Sequence, residues 1–210
     1  MKSVIRMNAL LLMSLALCGT SCDDSDDAAP KAQPLKASEV ADLDATSTGK
    51  YTFYSFADGA VVANADSASS KWDIGFRGTT LILNSGVSGP GSASGQIVDG
   101  IFEEIAEAPA AGYAQDTDAA KAILGSSGWY TYTGTASVPN HAILPNAGKV
   151  LVLKTAAGKY VKVEIISYYL GNPSTNTAEF ADLASRPASR YYSFRYLYQP
   201  DGTTNLEATE

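Results

Sequence analysis

From residue 51 onward, apolar and polar positions alternate in short runs separated by glycine-containing turns. Residues 51–56 and 59–63 flank Asp58-Gly59, a dipeptide suited to a tight turn, and predict a first antiparallel pair. Residues 72–76 and 79–83 flank Arg77-Gly78 and predict a second. The strongest pattern comes later, where residues 149–155 and 159–169 flank Ala156-Ala157-Gly158. In its second arm Val161, Val163 and Ile165 fall on one face and Lys162 and Glu164 on the other, which predicts a half-buried sheet. Residues 191–198 repeat the alternation, with Tyr192, Phe194, Tyr196 and Tyr198 sharing a face as core or cross-strand aromatics. Trp129 to Tyr132 reads as another strand.

Helical spacing is scarce. Residues 116–124 offer two turns, with Asp116 or Thr117 as cap, Ala120, Ile123 and Leu124 as the apolar side, and Gly125 as the stop. Residues 38–43 are a second candidate, and the polar tail after Pro200 is expected to fray. The predicted class is all-β: antiparallel sheets with hairpins and one or two short helices.

The first residues read differently. Lys2 and Arg6 precede an apolar run over residues 9–17, too short to span a bilayer and shaped like the hydrophobic region of a secretory signal. Gly19-Thr20-Ser21 supplies small residues before Cys22, whereas Cys18 follows the bulky Leu17, so Cys22 is the expected lipid acceptor. Several acyl chains on one residue hold a protein stably on a membrane. The expected organisation is a lipoprotein signal peptide over 1–21, an acidic disordered tether over 22–37, a β domain over 38–200 and a polar tail over 201–210. The tether opens with Asp23-Asp24-Ser25-Asp26-Asp27, which resembles the export tag of Bacteroidetes surface lipoproteins and implies the outer face of the outer membrane.

With 210 residues, 45% of them hydrophobic and 18% charged, the chain can bury one sizeable core. Loss of Lys2 and Arg6 with the leader takes the net charge from -7 to -9, and no Lys/Arg cluster remains to neutralise phosphates, so nucleic acid is not an expected partner. Met1, Met7, Met13 and Cys18 leave as well. The mature chain keeps one histidine, His141, and one thiol, the acylated Cys22, which excludes zinc sites built on several Cys or His ligands. No serine stands in nucleophile-elbow wording, and nothing argues for an enzyme. Gly89, Gly91 and Gly95 lack the Lys-Ser or Lys-Thr and the long helix of a phosphate cradle. That stretch reads as a surface loop, with a binding role as the second reading.

Three segments carry a family resemblance: Trp72-Asp73-Ile74-Gly75-Phe76-Arg77, the loop from Asn84 to Gly95, and residues 154–162 (Lys-Thr-Ala-Ala-Gly-Lys-Tyr-Val-Lys) ahead of a tyrosine-rich strand. Together they resemble the HmuY family of haem-binding surface lipoproteins, over most of residues 38–198. The resemblance implies an all-β HmuY-like fold that captures haem and passes it to an outer-membrane, TonB-dependent haem receptor. It also implies two axial side chains on the iron, histidines or methionines, and this chain cannot supply either pair. His141 lies near where the family places one ligand, and it is the expected metal ligand. The opposite position falls to water or to a tyrosinate, for which Tyr113 is the candidate ahead of Tyr168 and Tyr169. A phenol of ordinary pKa about 10 must lose its proton to serve. Arg77 or Lys149 could pair with the propionates. The alternative is a non-catalytic binding or assembly module that has lost haem ligation and takes a glycan or protein through aromatics such as Trp129, Tyr130 and Tyr132.

Overall fold

The computed structural model describes residues 35–126 and 128–209. The expected signal, most of the expected tether and Cys22 lie outside the described residues. In chain order the strands begin with β1 (Ser38–Asp44), β2 (Thr52–Ser55), β3 (Ala60–Val62), β4 (Ile74–Arg77) and β5 (Thr80–Leu83). They continue with β6 (Ser94–Asp99), β7 (Tyr130–Tyr132), β8 (Ile143–Pro145), β9 (Lys149–Lys154), β10 (Tyr160–Tyr169) and β11 (Ser189–Gln199). One short helix, α1 (Ala178–Ala181), and two 3₁₀ turns complete the described elements. None of the described helices is long and apolar enough to cross a membrane.

All ladders between named strands are antiparallel. A five-stranded sheet runs β1-β11-β10-β9-β6, a four-stranded sheet runs β3-β2-β4-β5, and β7 pairs with β8 alone. The predicted hairpins form where the turns were read: β2 with β3 (Phe53 opposite Val62), β4 with β5 (Phe76 opposite Leu81) and β9 with β10 (Val161 opposite Leu153).

The two larger sheets face each other across the main core, to which Ile74, Phe76 and Leu83 contribute from one side and Leu153, Val163 and Phe194 from the other. Phe76 stacks on Phe194 at 5.5 Å between ring centroids, and Tyr54 meets Phe194 edge to face at the same separation. Full burial of each such side chain stabilises by about 2 to 3 kcal/mol. Tyr192, Phe194 and Tyr196 are buried here, as the alternation predicted.

The outer faces are covered too, which corrects the half-buried reading. On the outside of the five-stranded sheet Val150, Val152 and Leu197 pack with Leu35, Phe102, Ala108 and Leu206. Lys162 is fully buried there and donates from Nζ to the carbonyls of Phe102 (2.6 Å) and Ile105 (2.9 Å). The tail is therefore not frayed: Leu206 N donates to Ala106 O and Thr209 N to Leu35 O. On the outside of the four-stranded sheet Trp72 packs with Phe53 and Ile82.

Neither predicted helix exists. Residues 38–43 belong to β1, because five register pairs with the free edge of β11 outweigh a weak local preference, with a bulge between Val40 and Leu43. Residues 116–124 form a loop folded around the buried Asp116. Its carboxylate accepts from Leu83 N (3.0 Å) and Ala122 N (2.8 Å), so the group expected to cap a helix ties the loop to β5 instead. Ile123 is consequently buried while Leu124 faces solvent.

Candidate functional site

The β7–β8 pair projects a loop over residues 133–142 that carries the lone histidine. Tyr132 stands opposite Ile143 at the end of the ladder. Thr133 closes the loop: its backbone N–H donates to Ala142 O, its hydroxyl donates to Pro139 O (2.6 Å), and Ala142 N donates to Thr133 Oγ1 (2.9 Å). Ala142 is buried in the main core, which anchors the loop immediately after the exposed His141.

His141 has φ of +50°, the left-handed region that non-glycine residues seldom occupy, and its N–H donates to Gly134 O at 2.6 Å. Arg186, just after α1, holds the loop from the other side. Its guanidinium donates to Asn140 O (2.9 Å), His141 O (3.2 Å) and Phe180 O (2.7 Å). The guanidinium carbon also lies 4.9 Å from the Phe180 ring centroid. Backbone and clamp thus fix where the imidazole leaves the surface.

His141 Nδ1 lies 2.6 Å from Tyr132 Oη, and both side chains are exposed. Sequence reasoning offered Tyr132 only as an aromatic of the glycan or partner reading and missed its pairing with His141, because only the β7–β8 register brings the two together. The same loop contributes Val138 and Pro139 to a cavity of about 330 Å³ that Leu144, Thr175, Asn176, Thr177 and Ala181 complete; neither Tyr132 nor His141 lines it. Val138 is 85% exposed.

The other expected site residues lie elsewhere. Tyr113 packs in the outer cluster of the five-stranded sheet with Tyr160, at 6.2 Å between ring centroids, and is not brought to His141. Its hydroxyl is buried without a hydrogen-bond partner, and burial pushes its pKa up to about 12, so this phenol resists ionising. Tyr168 is likewise pushed up to about 12 by burial, and the Tyr169 hydroxyl accepts from Ile143 N at 3.0 Å. Arg77 lies over the Tyr51 ring at 4.2 Å and Lys149 pairs with Asp99, so neither stands at the histidine. Trp129 is only 1% exposed, which removes it as a glycan platform. Among the described residues no group of three or more His, Cys, Asp or Glu side chains is placed to hold a metal ion.

The glycine-serine loop is built around its own first residues. Asn84 is buried, donates from Nδ2 to Trp72 O (2.7 Å) and accepts Gly91 N at Oδ1 (2.9 Å). A Cβ on Gly86 would lie 1.9 Å from Asp116 O, where the backbone also has φ of +54°. Glycine is required there by close approach to protein, with no phosphate invoked. The loop walls a groove of about 650 Å³ against Tyr51, Phe53 and Ile82, with Lys121 at its edge.

Comparison with known proteins gives three findings. The family model described as HmuY protein matches residues 47–181. No curated protein matches the chain. Among solved structures, the apo HmuY analog of Tannerella forsythia superposes with a TM-score of 0.55 at 14% identity, covering 81% of this chain and 99% of its own. A structure from Bacteroides vulgatus, described as that of an HmuY-like heme-binding protein, gives 0.49 at 16% identity, covering 78% of this chain and 92% of its own. Apo PinO, described as from Porphyromonas gingivitis, gives 0.46 at 15% identity, covering 79% of this chain and 97% of its own.

Proposed function

The chain belongs to the HmuY family, and on that premise we propose that it is a haem-binding protein, held on the outer face of the outer membrane by acyl chains on Cys22, that captures haem and passes it to an outer-membrane receptor. The carrying observation is the exposed His141 on a clamped loop, in contact with Tyr132, on the same loop as the Val138 and Pro139 that line a cavity. Nitrogen and phenolic oxygen are both donors that iron accepts, so this donor set fits a porphyrin iron. When bound, haem would supply a Lewis-acidic iron in a flat apolar macrocycle. The protein's part is to hold the donors still: Arg186 and Thr133 fix the loop backbone, and the hydrogen bond fixes the imidazole ring. Tyr113, packed partly buried against another cluster, is no longer the oxygen donor of choice.

Titrating haemin into the purified full chain should give a sharp, saturable Soret shift. His141→Ala should weaken binding by at least about 10- to 100-fold, the cost of losing even a residue that only supports a metal's ligands. An unchanged spectrum with the wild-type chain would end the haem reading.

A second reading, a glycan- or partner-binding module without haem, is favoured by the groove between Tyr51 and the glycine-serine loop. Aromatic walls with a polar rim suit such ligands. A glycan array that scores while haemin leaves the spectrum unchanged selects it.

A further inference from the structure

We propose that the cavity between the edge of β5 and the loop over residues 116–125 binds the carboxyl-terminal end of a peptide whose last side chain is apolar. The site is independent of the haem reading and separate from the groove at Tyr51, with Lys121 standing between the two. An open piece of sheet edge, a slot held over it and a cation in its wall carry the proposal.

β5 is the last strand of its sheet and pairs only with β4. In an antiparallel ladder alternate residues turn both N–H and C=O to the partner strand, and those between turn both away. Asn84 N donates to Asp73 O (3.1 Å), so Ile82 and Thr80 face β4 as Asn84 does, while Leu83 and Leu81 face outward. The bond from Leu83 N to Asp116 Oδ2 (3.0 Å) has that direction. Leu81 has no counterpart: its outward N–H and C=O take no partner among the described residues, although the residue is only 1% exposed. A covered donor and acceptor left unpaired are costly. Side by side on an edge, they match the C=O and N–H of one residue of an added chain.

The loop leaves that position open. It is tied to β5 at Asp116, beside Leu83, and it returns at Gly125, where a Cβ would lie 3.8 Å from Thr79 O. It therefore runs alongside β5 in the opposite direction. Residues 117–124 are more chain than the span requires, and the excess arches away, with Thr117 N donating to Ala120 O. Under the arch lies a cavity of about 350 Å³, lined by Thr79, Leu81, Ile123, Leu124, Tyr130 and Lys121 among others. That volume is in the range of small-ligand sites. Asp116 already occupies the edge at Leu83, so a long strand cannot add; one residue's pair of bonds is on offer. Ile123, Leu124 and Tyr130 supply the wall for one apolar side chain.

Charge selects the carboxyl end. No Asp or Glu is among the residues that line the cavity, in a chain of net charge -7, and the Lys121 ammonium is held at its wall by donating to Ser88 Oγ (3.1 Å). A peptide's last residue offers N–H, apolar side chain and carboxylate together. An internal residue brings no charge, and an amino terminus sets a like charge against Lys121.

The test uses the full chain labelled with nitrogen-15 and an acetylated alanine-alanine-valine peptide, as the free acid and as the carboxamide. The acid should shift the Leu81 and Gly125 amide signals saturably, with nuclear Overhauser contacts from the valine methyls to Ile123 and Leu124. The carboxamide should bind at least about tenfold more weakly, because a hydrogen bond to a charged group contributes more than a neutral one. Lys121→Met, which keeps the apolar stem, should lower the acid to the affinity of the carboxamide and leave the carboxamide unchanged. Equal affinities for acid and carboxamide in the wild type, shifts confined to the Tyr51 groove, or no shift with either peptide at millimolar concentration overturns the proposal. The haemin titration decides the haem reading separately, since neither peptide result bears on a Soret shift.

Discussion

Lys162 shows how far one side chain can depart from its place in a pattern. Alternation puts it opposite Val161 and Val163, and that much is right; what it faces is protein and not water. The ammonium satisfies the Phe102 and Ile105 carbonyls and lies 4.6 Å from the Phe102 ring centroid, while burial lowers its pKa. Lys162→Met keeps the apolar stem and removes the donors, leaving two carbonyls unpaired. A loss of about 2 kcal/mol in denaturant unfolding is expected. A change within a few tenths of that in either direction around zero would mean that water replaces the ammonium. Tyr132 and His141 illustrate the same limit, because each is an ordinary residue in its own segment and only the tertiary structure brings them into contact.

At the scale of elements, hairpins were legible and helices were not. A hairpin is specified by a turn and two alternating arms within about a dozen residues, all of them local. Residues 38–43 and 116–124 have no comparable local determinant. The first is recruited by the edge of β11, more than 140 residues away in sequence, and the second is wound around the Asp116 carboxylate by its bonds to β5 and to Ala122. The C-terminal tail belongs with them. Its polar composition predicts fraying, yet Leu206 is fully buried against Phe102 and Val150 and its backbone bonds to Ala106. Leu206→Ala should therefore cost about 2 to 5 kcal/mol, the range for a buried leucine. A melting temperature unchanged from wild type would show that the tail only rests on the sheet.

At the scale of the whole molecule, Asp73 links the two large sheets. Its carboxylate accepts from Phe56 N at 2.9 Å, next to β2, and the backbone of Ala156 in the β9–β10 turn also favours its charged form. Burial raises its pKa from the ordinary 3.8 to about 6, against the backbone groups of Phe56 and Ala156 that lower it. The folded state thus holds a proton that the unfolded chain has released between pH 4 and 6. By linkage, this group's contribution to stability falls as pH rises through that window and is level above it. Asp73→Asn cannot titrate, so the stability of wild type relative to the variant should fall by about 3 kcal/mol between pH 3.5 and 7. Parallel pH profiles from urea unfolding would remove the assignment.

The amino-acid sequence by itself determined the strands of the three hairpins and the strand over residues 191–198, their inward faces and the family, because alternation and turn chemistry act over a few residues. Tertiary structure alone decided which outer faces are covered, what becomes of residues 38–43 and 116–124, and that Tyr132 meets His141 while Tyr113 does not. Those outcomes depend on contacts between segments far apart in the chain. Their free energies exceed the small local preferences that a sequence displays, so they appear only once the sheets have packed.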